Sequence, residues 1–93
     1  MAIEITHVRF GSTRHTDDEI IRYKWREIGG TSTGENDKPS LVEWVDKPAN
    51  AAYVGSGNNR VNVAVVRPPQ GKPFLRTHAD GKWTNNLVNL PTF

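Results

Sequence analysis

The sequence predicts an α+β protein: a small twisted antiparallel β-sheet of about five strands, with one short helix packed on it and an ordered C-terminal tail. Two observations predict this class. Short stretches of alternating apolar and polar residues recur along the chain, and one segment between them has the pattern of a helix start. The chain has 93 residues, so residues 1–93 are expected to form a single domain with a thin core.

Two strands are predicted in the first third of the chain. The segment from Ile3 to Phe10 is rich in β-branched and aromatic residues and ends at Gly11. The second strand covers residues 19–28, where apolar and cationic residues alternate, so its two faces differ in character. The apolar face carries Ile21, Tyr23 and Trp25, and the cationic face carries Arg22, Lys24 and Arg26.

The helix is predicted to follow a loop. Residues 29–37 lack periodicity and are rich in glycine and other turn formers, so we expect an exposed, mobile loop there. Ser40 and Glu43 have the spacing of a capping box, which indicates that the helix begins at Ser40. The helix is expected to end before Pro48. Its apolar stripe consists of Leu41, Trp44 and Val45.

Three more strands complete the predicted sheet. Residues 51–54 and 60–66 form two of them, separated by a glycine-rich turn, and residues 74–77 form the last one after a proline-rich turn. The segment 60–66 is the clearest of these, because valines at every second position share one face.

The composition excludes several kinds of site. The chain has no cysteine, which rules out disulfides, thiolate zinc ligands and a thiol nucleophile. No apolar run is long enough to cross a bilayer, and we expect a cytoplasmic protein without a membrane partner. Residues 51–93 hold five cations against one acid, although the whole chain has a net charge of only +2. Such asymmetry favours an anionic partner, and it is also typical of a solvated surface.

A hydrolase or metal site is the least favoured function. His78 and Asp80 have the i, i+2 spacing that would place a base beside an orienting carboxylate, or two metal ligands side by side. No third ligand lies nearby in the sequence, and Asp80 followed by Gly81 is typical of a turn. The glycine-rich segments 29–34 and 55–60 lack the lysine or the third glycine of phosphate-binding loops. No catalytic residue, cofactor or metal is therefore predicted.

Cationic residues are the strongest signal of binding. A sheet with cations and aromatic rings can follow a phosphate backbone and stack bases, and the alternative is a solvated strand face with screened charges. Phe74 and Trp83 supply rings near the cations of the second half. The candidate binding residues are Arg22, Lys24, Arg26, Arg67, Arg76, Asp80 and Trp83.

The C-terminal tail combines apolar side chains with amides. Leu87 and Leu90 are spaced i, i+3, so a single turn places them side by side. Burial of such side chains contributes about 1.5–3 kcal/mol each, which favours a tail clasped against the sheet over a tail that is a peptide ligand for a partner. The residues assigned to this clasp are Asn86, Leu87, Leu90, Pro91 and Phe93.

Several short motifs resemble one family. They are Ile5-Thr6-His7-Val8-Arg9, Val61-Asn62-Val63, Phe74-Leu75-Arg76-Thr77 with Asp80, and the final segment NNLVNLPTF. In these places the chain is similar to small bacterial proteins grouped as domain of unknown function 3892. The resemblance implies a self-contained module without an assigned activity. It also directs attention to Arg76, Asp80 and Asn86, since an arginine can bond an aspartate and the carbonyls of a returning tail.

The leading functional hypothesis from the sequence is a binding module for protein association. The partner is an unknown protein or a second copy of the chain, because small sheets leave strand edges unpaired. The alternative is nucleic-acid binding through the basic C-terminal half. An enzyme is the least expected class.

Overall fold

The computed structural model describes all residues from Met1 to Phe93 and contains one helix and seven strands. The helix is α1 (Lys38–Asp46), and short 3-10 turns occur at Asp17–Glu19 and Gly57–Asn59. The predicted α+β class with one helix is confirmed. The strands are β1 (Ala2–Phe10), β2 (Ile20–Glu27), β3 (Thr33–Asp37), β4 (Ala51–Val54), β5 (Val61–Val66), β6 (Phe74–Ala79) and β7 (Lys82–Thr84).

All strands belong to one open sheet with the order β3-β2-β1-β4-β5-β6-β7. Neighbouring strands are antiparallel except β1 and β4, which run parallel. The prediction of about five antiparallel strands is therefore only roughly consistent with this sheet, which has seven strands and one parallel pair. The parallel pair is possible because β2, β3 and α1 lie between β1 and β4 in the chain and form the long connection that parallel strands require.

One face of the sheet holds the hydrophobic core. Successive side chains of a strand point to opposite faces, and the buried ones share the face that α1 covers. We call this the inner face and the opposite one the outer face. The buried hydrophobic residues are Ile3, Ile5, Val8, Ile20, Tyr23, Leu41, Val42, Ala52, Val54, Val63, Leu75 and Leu87.

A β-bulge in β2 changes the predicted pattern of faces. Phe10 pairs with Ile20 and Arg9 pairs with Arg22, which leaves Ile21 as an extra residue between them. Ile20 is therefore buried, whereas Ile21 is 42% exposed and does not belong to the apolar face. The predicted alternation holds for the rest of β2 and is wrong at this residue.

A second bulge lies in β1 and has the same kind of effect. Ile5 pairs with Trp25 and His7 pairs with Lys24, so Thr6 is the extra residue. Because of this insertion, Ile5 and Val8 are both fully buried although they are three positions apart.

β3 occupies part of the segment 29–37 that the sequence predicts as a loop, and it pairs with β2. Gly34 lies against the indole of Trp25, where a Cβ atom at residue 34 would come within 2.3 Å of the ring. Trp25 Nε1 donates a hydrogen bond of 2.8 Å to Asn36 Oδ1. The strand is held by these contacts with its neighbour rather than by local propensity, which is why the sequence pattern alone indicates a loop.

α1 begins earlier than the capping-box pattern predicts. Asp37 is the N-cap residue, and its side chain accepts a hydrogen bond of 3.0 Å from Ser40 N. Hydrogen bonding by Ser40 lowers the pKa of the Asp37 carboxyl. Pro39 lies in the first turn, where its missing N–H has no partner within the helix. The prediction of a helix start at Ser40 is wrong because Asp37 caps the free N–H groups one turn earlier.

The C-terminal tail lies along β1. β4 pairs only with the beginning of β1, as far as Glu4. Farther along β1, Val8 N donates to Pro91 O at 3.0 Å, and Phe93 N donates to Val8 O at 3.3 Å. Leu87 is fully buried among the core residues. The tail thus completes a strand edge and contributes a side chain to the core.

We predict that Leu87→Ala lowers the free energy of unfolding by about 3–5 kcal/mol, because it leaves a cavity in the core. Leu90→Ala is the matched control: Leu90 is only partly buried, and we expect about half that loss. Urea denaturation followed by circular dichroism measures both. A loss below about 1 kcal/mol for Leu87→Ala would contradict a structural role of the tail.

Candidate functional site

The outer face carries a row of residues that crosses most of the sheet. Residues that pair directly across neighbouring strands point to the same face. One chain of such pairs runs from β2 through β1, β4, β5 and β6 to β7. We call it the outer row. Its members, in that order, are Arg26, Glu4, Tyr53, Asn62, His78 and Trp83.

The β4–β7 part of the outer row is aromatic. The rings of His78 and Trp83 meet edge to face with their centroids 4.9 Å apart. Tyr53 lies two strands farther along the row, and the guanidinium of Arg60 lies 4.3 Å from its ring centroid. Trp83 is 43% exposed, and the other two rings are partly exposed. Three aromatic side chains and a cation are thus accessible from one side of the sheet.

The turn between β6 and β7 brings His78 and Trp83 together. Asp80 and Gly81 both have positive φ values, 53° and 77°, as the two central residues of a type I′ hairpin require. Asp80 therefore has a structural role in the turn. No hydrogen bond joins it to His78, and no group of three His, Asp or Glu side chains lies close enough together to hold a metal ion.

The cations predicted on β2 lie at the other end of the outer face. Arg22 Nε lies 2.7 Å from Glu35 Oε1, and Arg26 Nη2 lies 2.5 Å from Glu4 Oε1. Both partners of the Arg22–Glu35 pair are at least one-third exposed, and ion pairs in such positions contribute little to stability. Arg26 is also exposed, but its partner Glu4 is only 16% exposed. Lys24 is exposed and has no carboxylate partner. This end of the outer face is therefore cationic but partly neutralised.

Phe93 adds an aromatic ring beside these cations. Its ring centroid lies 4.5 Å from the Arg9 guanidinium and 4.7 Å from Lys24 Nζ. Arg9 Nε also donates a hydrogen bond of 2.8 Å to Phe93 O. The tail residue thus orders two cations of the outer face.

Two other candidate residues are not members of the outer row, although Arg76 lies two residues before His78 on β6. Arg67 pairs with Asp46 at the end of α1. Arg76 Nε donates to Thr84 O at 3.1 Å and lies 3.5 Å from Asp17 Oδ2. The partner of Arg76 is thus Asp17 and not Asp80, which the family resemblance brings to attention.

Arg76 belongs to a polar network that joins β6, β7 and the tail. Thr77 Oγ1 donates to Thr84 O at 3.1 Å and accepts a hydrogen bond of 3.1 Å from Asn86 N. Arg76 Nη2 donates to Asn85 Oδ1 at 3.1 Å. Because β7 has only three residues, these side-chain bonds supplement a short backbone ladder.

Asp17 is the buried acid of this network. Burial raises the pKa of its carboxyl above the ordinary value of 3.8, and the charge of Arg76 opposes that shift. Asp17 Oδ1 and Tyr23 Oη are both buried without a hydrogen-bond partner. Burial also raises the pKa of Tyr23, and the nearby charge of Asp17 adds to the effect. The acid therefore lies where its ionised form is poorly solvated.

Sequence reasoning missed Tyr53 and Asn62 as parts of a site. The alternation of side chains along β4 could have indicated that Tyr53 points outward, because Tyr53 lies between the inward-facing Ala52 and Val54. What the pattern does not contain is the order of the strands, which decides that these side chains join His78 in a single row.

The fold and the outer row define a class: a small α+β protein with an open mixed sheet, covered by a helix on one face and carrying an exposed aromatic and cationic row on the other. The chain belongs to the family described as "Protein of unknown function (DUF3892)", which it matches over residues 4–91. The predicted family is thus confirmed. No curated protein and no solved structure matches the chain. None of its helices has the length and apolar character that crossing a membrane requires.

We predict opposite pH effects for two neighbouring acids. In the folded state Asp17 binds its proton more tightly than in the unfolded state, so its contribution to stability falls as pH rises through the window above 3.8. Asp17→Asn removes that loss, so the free energy of unfolding of this variant relative to the wild type should increase as pH rises above 3.8.

Asp18→Asn is the matched control for this experiment. A hydrogen bond from Thr16 lowers the pKa of Asp18, so its ionised form stabilises the fold above 3.8 and this contribution is lost as pH falls through the lowered value. The control should therefore become less stable than the wild type as pH rises. Urea denaturation at a series of pH values measures both variants, and parallel curves for Asp17→Asn and the wild type would contradict the prediction.

Proposed function

We propose that this protein binds single-stranded nucleic acid on the outer face of its sheet. The observation that carries the proposal is the outer row, in which Tyr53, His78 and Trp83 are accessible on one face beside Arg60. Aromatic side chains on an open sheet are a recurring surface for stacking unpaired bases, because every base has a π-face.

The dimensions of the row fit a short stretch of bases. Tyr53 and Trp83 lie on strands separated by two others, so three strand spacings, about 14 Å, lie between them. A platform of this width is typical of sheets that stack two or three bases. The bases of a duplex are stacked within the helix, so this surface favours a single strand.

The cationic end of the outer face is suited to the phosphate backbone. Arg9 and Lys24 are held against the ring of Phe93, and Lys24 has no carboxylate partner. Arg22 is paired with Glu35 at the surface, and such a weak pair can exchange its carboxylate for a phosphate. A strand that stacks on the aromatic residues can therefore continue toward these cations.

Protein association through a sheet edge stays a prediction from the sequence. The edge strand β3 is short and polar, and the other edge strand, β7, has only three residues. Proteins use short and charged edge strands to prevent pairing with other chains. These features favour the outer face over the edges as the binding surface.

We predict that Trp83→Ala weakens the binding of a fluorescein-labelled oligonucleotide of about ten bases by roughly 5- to 150-fold, because one stacked base contributes about 1–3 kcal/mol. Fluorescence anisotropy at low salt measures the Kd for single-stranded DNA, single-stranded RNA and a duplex. Ile21→Ala is the matched control, since Ile21 has nearly the same exposure and lies in the bulge of β2, outside the outer row. Absence of binding to both single strands would refute the proposal.

A second prediction concerns the charge of Arg60. Displaced counterions make the affinity for a nucleic acid fall with salt, and each lost phosphate contact reduces the slope of log K against log salt by about one. We expect this reduction for Arg60→Ala. Lys47→Ala removes the same charge at the end of α1 and should leave the slope unchanged. Equal slopes for Arg60→Ala and the wild type would exclude Arg60 from the phosphate contacts.

A further inference from the structure

A small pocket lies on the inner side of the sheet, between α1 and strands β1, β2 and β3. Its volume is about 170 Å³. The apolar part of its wall consists of Met1, Ile3, Trp25, Leu41 and Trp44. The outer row lies on the opposite face of the sheet, so the pocket is separate from the proposed nucleic-acid surface.

We propose that this pocket binds a neutral small molecule with a single aromatic ring and one hydrogen-bonding group, such as a phenol. The size supports a single ring, because a cavity of about 150 Å³ lined by apolar side chains takes up benzene. Two tryptophans in the wall provide faces and edges for contact with another ring.

The wall of the pocket is formed before any ligand binds. Trp25 is fixed by the hydrogen bond from its Nε1 to Asn36 Oδ1 and by the close approach of its ring to Gly34. Only glycine permits that approach, since a Cβ atom at residue 34 would overlap the ring. A preformed wall reduces the ordering that binding would otherwise require.

The polar part of the wall determines which hydrogen-bonding group the ligand can carry on its ring. Asn36 and Ser40 both line the pocket. The Asn36 side chain uses its oxygen to accept from Trp25, and its Nδ2 makes no hydrogen bond within the protein. Ser40 bonds Asp37 through its backbone N–H and through its hydroxyl, so the hydroxyl oxygen is left as an acceptor. An amide donor and a hydroxyl acceptor suit one hydroxyl group of a ligand.

The absence of charged side chains in the wall decides the charge of the ligand. None of the lining residues is an acid, a lysine, an arginine or a histidine. The amino group of Met1 donates to Ala49 O at 2.9 Å. An ion would lose hydration in this pocket without gaining a side chain of opposite charge, which favours a neutral ligand.

Titration of the ¹⁵N-labelled protein with p-cresol tests the proposal, because each tryptophan gives its own indole N–H signal. We expect saturable shifts of the Trp25 and Trp44 signals and a stationary Trp83 signal. Toluene and cyclohexanol serve as probes that lack the hydroxyl group or the aromatic ring, and weaker binding of both is expected. Absence of saturation with p-cresol, or equal shifts at all three tryptophans, would overturn the proposal.

Two variants and one further probe complete the test. Ser40→Ala should weaken p-cresol binding several-fold while toluene, which has no polar group, binds as before. Trp44→Phe removes part of the wall and should weaken both ligands, and thermal denaturation checks that it folds. N-acetyl-tyrosinamide presents the same ring on a peptide, so tighter binding of this probe than of p-cresol would overturn a free small molecule as the ligand.

The result of the p-cresol titration does not depend on whether the protein binds nucleic acid. An oligonucleotide on the outer face should not displace p-cresol from the inner pocket, and Trp83→Ala should leave the p-cresol titration unchanged. Competition between the two ligands would contradict the placement of two separate sites.

Discussion

The rest of the structure depends on one constraint: the second edge of β1 is divided between two partners, β4 and the C-terminal tail. One edge of β1 pairs with β2 along its length, whereas the other pairs first with β4 and then with the tail at Val8. A central strand cannot leave buried N–H and C=O groups without partners. The tail supplies those partners through its own backbone and supplies Leu87 to the core below.

The division of this edge also explains why cationic and aromatic side chains lie together on the outer face. The parallel contact between β1 and β4 is short, and it aligns Glu4 with Tyr53. That single register connects the cationic strands on one side with the aromatic strands on the other. Without the parallel pair, the two kinds of side chain would lie on separate small sheets, and neither would offer both stacking and charge.

The buried acid Asp17 belongs to the same arrangement. It lies before β2, and its ion pair with Arg76 joins that end of the chain to β6 across the fold. A buried charge is expensive without a partner, and Arg76 is the partner that keeps it ionisable. Arg76 also bonds Thr84 O, so the residue that neutralises the acid holds β7 and therefore Trp83 in place. The Arg76 side chain therefore links two features: the ion pair that stabilises the buried Asp17, and the position of Trp83 on the outer face.

Local sequence pattern determined most of the strands, the presence of one helix and the apolar character of the tail, because alternation and apolar spacing reflect which side chains must leave water. It did not determine β3, β7 or the bulge at Ile21, since these follow from pairing with a neighbour rather than from propensity. The candidate site was visible only in parts, as Trp83 and the cations of β2. Strand order and the parallel direction of β4 joined those parts with Tyr53 and His78. Such contacts lie far apart in the chain, so only the tertiary structure decided them.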